Sequence, residues 1–291
     1  MVCRPWPVLS ACVALLSVMP LMAACDKSGR EAPTDPIAVE VNQSRDQYGK
    51  EAILIQLTNT SDTPLTVTAA RLDSALFDGE IVWTPANGSL ELPPRQPKSV
   101  PVPLPPAACE PAPSGPIAAA VQYSAPPDQN SREAKVEATD PFGVLTRNSD
   151  ELCLASEAAA IASVVLDPGL EVAPDGSTAV VRLVITPAAT SAGSPQSLTI
   201  ESIDGTTLLA EVPADPWPRN LTVPSGAVQQ EVALRIRPAR CDPHAVAEDK
   251  VGTLLPLRIQ VGERHGLLKI AAPNDLRGRI YDFVTAACGG Q

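Results

Sequence analysis

The chain copies itself. The stretch LELPPRQPKSVPVPLPPAACEP, residues 90–111, lies over LTVPSGAVQQEVALRIRPARCDP, residues 221–243. Leu90 meets Leu221. Val100, Val102 and Leu104 meet Val232, Leu234 and Ile236. Cys109 meets Cys241, an offset of 132, and an acid followed by proline comes next in both. The match extends outward: PLTVTAARLD (64–73) parallels SLTIESIDG (197–205), Trp83 parallels Trp217, and AKVEATDPFG (134–143) parallels LKIAAPNDLRG (268–278). Gly143 to Cys153 spans ten positions, as does Gly278 to Cys288. A period this long is the size of a domain, not of a solenoid unit. It predicts one domain over 36–154 and a second over 160–290.

Each copy reads as strands. VALRI alternates and places Val232, Leu234 and Ile236 on one face; LRIQV does the same with Leu257, Ile259 and Val261. TAVVRLVIT and EAILIQLT are β-branched and aliphatic, and turn-forming clusters such as NTSDTP, PANGS, PDG and PSG separate the runs. The 32 prolines recur beside valine and leucine, which suits edge strands better than helix interiors. Helical composition is confined to the join LASEAAAIASVV and to NDLRGRIYDFVTAAC. The fold class expected is all-β, as two tandem β-sandwiches. The NTSDTPLTV stretch, the later LPP turn and the VxVxL strand resemble the immunoglobulin-like domains of bacterial surface proteins. That resemblance is architectural and carries no functional residues.

The first 25 residues stand apart. Arg4 is followed by an apolar run from Val8 to Ala24, interrupted by Pro20 and ending in small residues, the pattern of a signal peptide over 1–24. LMAAC resembles a bacterial lipobox, with Met22 where leucine is commoner. The resemblance implies that Cys25 carries a diacylglycerol and a further acyl chain such as palmitate, and becomes the mature N-terminus. Residues 25–35 then form a lipidated, flexible tether. The implied location is the extracytoplasmic face of the cell membrane, where disulfides persist.

Seven cysteines are present. Cys3 and Cys12 leave with the signal and Cys25 is lipidated, so Cys109, Cys153, Cys241 and Cys288 remain. Four cysteines allow three pairings. The repeat selects Cys109–Cys153 and Cys241–Cys288, one in each copy. Each crosslink contributes roughly 4 kcal/mol in the loop-entropy model, which matters in a chain with only 3% aromatic residues.

Candidate chemistry concentrates in RPARCDPHAVAEDK, residues 237–250. With Cys241 in a disulfide, Asp242, His244, Glu248 and Asp249 remain as oxygen and imidazole ligands for a divalent ion. The competing expectation is that these acids cap a turn or pair on the surface. The matching stretch of the first copy, CEPAPSGP, lacks the histidine. His265, in GERHG, reads as a turn residue. Trp83 and Trp217 read as paired core residues, or as exposed platforms for a glycan. No nucleophile elbow, phosphate-binding loop, dinucleotide fingerprint or HExxH stands in the sequence. The net charge of −11 argues against nucleic acid. A non-enzymatic protein without a cofactor is expected. It presents two modules to another envelope protein or the cell wall, or acts as a spacer. The alternative is a lipoprotein that binds a metal or small ligand at the 242–249 loop.

Overall fold

Alternating burial builds the first module. A computed structural model describes residues 35–109, 115–127, 130–189 and 197–289. The signal, Cys25 and the tether up to residue 34 lie outside them. Eight strands open the chain: β1 (Ile37–Asn42), β2 (Ala52–Asn59), β3 (Leu65–Asp73), β4 (Ile81–Trp83), β5 (Leu90–Leu92), β6 (Pro97–Pro103), β7 (Ile117–Ser124) and β8 (Arg132–Ala138). β1-β2-β6 form one antiparallel sheet; β4-β3-β7-β8 form the other, with β5 also paired to β3. Ile53, Ile55 and Leu57 of the first sheet and Leu65, Val67, Ala70 and Leu72 of the second share one buried cluster. Two sheets over one core is the immunoglobulin-like sandwich. Pro101 and Pro103 sit on β6, whose only strand partner among the described residues is β2. Prolines fit such an edge because they have no N–H to donate. At the other edge, β8 turns Arg132, Glu133, Lys135 and Glu137 outward, which discourages pairing with a further strand.

A helix, α1 (Val144–Ile161), leaves this module. Its first amides are capped by one carboxylate: Val144 N and Leu145 N donate to Asp140 Oδ1 and Oδ2 at 2.7 and 2.9 Å. Negative charge at a helix N-terminus is favourable. The helix extends well beyond the join that the composition marked. Residues 155–159, the expected gap between domains, lie inside it.

The second module repeats the plan with β9 (Ala162–Leu166), β10 (Glu171–Val172), β11 (Ala179–Pro187), β12 (Ser197–Ile203), β13 (Leu209–Glu211), β14 (Leu221–Pro224), β15 (Gln230–Pro238), α2 (Pro243–Ala247), β16 (Leu254–Val261), β17 (Arg264–Ala271) and α3 (Asn274–Gly289). β10-β11-β15-β13, with β9 also on β11, face β14-β12-β16-β17 over a second core. Both copies carry a bulge at one position. Pairing slips between Val67 and Ala69 on β3, and between Ile200 and Ser202 on β12. Burial accordingly runs 65, 67, 70 in the first and 198, 200, 203 in the second, because an extra residue reverses the alternation. Register also bears out the sequence alignment: Val67 faces Leu90 as Ile200 faces Leu221. The copies diverge at the short fourth strand. β4 pairs with β3, whereas β13 pairs with β15 in the opposite sheet.

The modules share α1. Val144 and Leu145 belong to the first core; Leu154, Ala158 and Ile161, at i, i+4 and i+7 on a different face of the helix, belong to the second. No loop follows, since Ala162 begins β9. On β17, Gly266 lets the helix approach closely: a Cβ there would lie 2.7 Å from Leu154 Cδ2. Lys269 Nζ meets Glu151 at 2.6 Å and lies 5.1 Å from the centre of the Tyr48 ring; Arg264 meets Glu157 at 3.2 Å. The described residues accordingly form one compact unit. Leu154→Ala removes a first-module helix residue from the second core. It is expected to cost about 2–5 kcal/mol, read by urea unfolding with both disulfides intact.

Candidate functional site

Both expected disulfides are present. Cys109–Cys153 and Cys241–Cys288 have Cα separations of 5.3 and 5.2 Å. In each module the crosslink ties the segment after the sixth-strand equivalent, β6 or β15, to the C-terminal helix, α1 or α3. Their surroundings differ. Cys153 is buried, with 2% of its surface exposed, whereas Cys288 is half-buried and Cys241 exposed.

Beyond Cys241 the chain turns through α2. Asp242 Oδ1 accepts from His244 N at 2.9 Å, and Val246 N donates to the Asp242 carbonyl at 3.1 Å. Asp242 thus starts the helical turn, as one of the two sequence expectations had it. Asp249 is a structural hub. Its Oδ1 accepts from Thr207 Oγ1, and its Oδ2 accepts from Gly252 N at 2.7 Å and Tyr281 Oη at 3.0 Å. Thr206 Oγ1 donates to the Gly252 carbonyl at 2.6 Å and accepts from Leu209 N at 2.9 Å. The approach is close enough that a Cβ on residue 252 would fall 2.3 Å from Leu208 Cγ.

The four expected ligands therefore do not converge. His244 and Glu248 face solvent, and Asp249 points to Thr207, Gly252 and Tyr281. Among the described residues no three His, Cys, Asp or Glu side chains gather as a metal site. The physical reason is that hydroxyl and amide donors already occupy the Asp249 lone pairs. His265 is not in the turn. It lies on β17 opposite Gln260, with Nδ1 at 3.0 Å from Glu201 Oε1. Trp217 is a core residue, 3% exposed, and donates from Nε1 to the Arg235 carbonyl at 2.8 Å. Trp83 is half-buried against the first core.

The loop instead builds a hollow. α2 and α3 border a half-open hollow of about 640 Å³, with Pro243, Val246 and the Cys241–Cys288 disulfide in its wall and Asp249, Lys250, Arg277 and Tyr281 among its polar lining. The sequence reading missed it, because its two walls are 27 or more residues apart in the chain. A second hollow, about 580 Å³, lies where α3 passes β10, lined by Leu170, Val172 and Phe283. Burial, and then the Asp249 charge, raise the Tyr281 hydroxyl above its ordinary value of 10.0.

No family model matches the chain, and no curated protein matches it. Solved structures give loose likenesses. A protein of unknown function from Porphyromonas gingivalis W83 is 16% identical, covering 81% of this chain and 98% of its own, with a TM-score of 0.22. The YadV chaperone is 12% identical, covering 80% and 97%, with a TM-score of 0.22. Salmonella alpha-2-macroglobulin is 12% identical, covering 81% and 16%, with a TM-score of 0.26. At these scores they carry no weight; the fold rests on the strand pairing and the two cores.

Two outcomes follow. Each disulfide offers one exposed sulfur, at Cys109 or Cys241, but attack there releases a half-buried Cys288 in one case and a buried Cys153 in the other. Graded dithiothreitol with alkylation and peptide mapping is expected to label Cys241 and Cys288 first. Tyr281 has a raised value in the folded state. Its stabilisation is complete below the unfolded-chain value and lost as pH rises through the folded one. Tyr281→Phe is expected to flatten the alkaline limb of the stability profile, measured by urea unfolding from pH 8 to 11.

Proposed function

We propose that the chain is a lipid-anchored protein of the bacterial cell envelope, held on the extracytoplasmic face of the membrane through Cys25. Its two sandwiches present a surface to another envelope protein or the cell wall, or hold a partner at a distance. One observation supports this best. All four cysteines beyond residue 25 are paired, each with a partner in its own module. Cys25 is thus the one cysteine of the mature chain left to take a lipid, and the lipobox-like LMAAC ends on it. Two structural disulfides also suit an oxidising compartment. Two acyl chains anchor a protein stably where one is marginal.

A spacer or presenting role fits a body without a loop between modules. A helix with a foot in each core resists bending, since a bend at α1 exposes Leu154 and Ile161 or pulls Val144 and Leu145 from the first core. The role is non-enzymatic in this proposal. Cys25→Ser is expected to abolish incorporation of labelled palmitate and to move the protein from the membrane to the soluble fraction. Mass spectrometry of the mature N-terminus is expected to show a diacylglyceryl-modified Cys25. A mature chain starting elsewhere defeats the anchor.

A further inference from the structure

The 640 Å³ hollow between α2 and α3 has the features of a site for a small apolar molecule bearing one carboxylate. Its volume lies in the range of ligand pockets, which combine apolar walls with a few placed polar groups. Pro243, Val246 and the Cys241–Cys288 disulfide supply apolar wall. Lys250 and Arg277 supply the charge. In this acidic chain many arginines are already paired: Arg71, Arg95, Arg182, Arg219, Arg235, Arg258 and Arg264 each meet an Asp or Glu within ion-pair distance. Among the described residues, Lys250 and Arg277 have no such ion pair, as is true of several other cations; the Arg277 side chain interacts with the neutral Tyr281 hydroxyl on the same wall. The acid beside them, Asp249, is held by Thr207, Gly252 and Tyr281, so it does not turn to neutralise them. Two cations at one hollow of mixed polar and apolar lining are complementary to a carboxylate, which a guanidinium grips through two parallel hydrogen bonds.

We infer that this hollow binds an apolar monocarboxylate, of the size of a medium-chain fatty acid, with its carboxylate between Lys250 and Arg277 and its tail along Pro243, Val246 and the disulfide. The 242–249 loop then serves as the wall of an organic-anion site and not as a cation site. The inference goes beyond the proposed anchor and does not depend on it.

The test uses the mature chain with Cys25→Ser, which changes no residue of 35–291. Decanoate and decanol, below their aggregation limits, are titrated calorimetrically. Decanoate is expected to bind at one site, with decanol about tenfold or more weaker, because only the acid engages the cations. Lys250→Gln with Arg277→Gln is expected to weaken decanoate about tenfold or more and leave decanol unmoved, with an unchanged Tm. Ala247→Trp, on the exposed side of α2, is expected to block both ligands. The inference is overturned by no decanoate binding at millimolar concentration, by equal binding of the two ligands, or by affinity unmoved in the double variant. Those outcomes leave the anchor untouched, and an unlipidated Cys25 leaves this site untouched.

Discussion

The structure depends on one helix being buried at both ends in different cores. α1 places Val144 and Leu145 under the first sandwich and Leu154, Ala158 and Ile161 under the second. Neither end can leave without exposing large aliphatic side chains, each worth about 1.5–3 kcal/mol of transfer free energy. Two small sandwiches poor in aromatic residues gain from this arrangement, since a larger shared unit buries a greater fraction of its surface. The Asp140 cap, the bare backbone at Gly266 and the Lys269–Glu151 pair each serve that placement.

Copying a module preserved what packing demands and released the rest. The bulge on β3 recurs on β12 because it re-aims the later part of the strand toward the core. The disulfide recurs because it fastens the C-terminal helix to the same side of each sandwich. The helices diverged. α1 runs eight residues past its cysteine and enters the next core, while α3 gives Leu276, Ile280, Phe283 and Val284 to its own. The edges diverged too: β8 is guarded by charge, and β17 is covered by α1.

The acidic loop after Cys241 shows why residue type alone misleads about a site. A histidine and three acids in eight positions have the composition of an ion site. The backbone sends them apart, with Asp242 starting a helical turn and Asp249 bracing Thr207, Gly252 and Tyr281. What the fold assembles there is a hollow, whose walls come from α2 and from a helix that begins 27 residues after it.

Periodicity and repetition alone determined the strand content, the two-module plan, the cysteine pairing and the buried faces of β15 and β16, because those depend on alternation and on equivalent positions in two copies. Tertiary structure decided the rest. The local run LASEAAAIASVV signals a helix but not which core it enters, and the equivalence of Gly143 with Gly278 dissolves, one preceding its helix and the other lying inside it. Where β13 pairs, where His265 points and what Asp249 holds are settled by contacts between residues far apart in the chain. Such contacts follow from how layers close over a core, and no window of neighbouring residues contains that information.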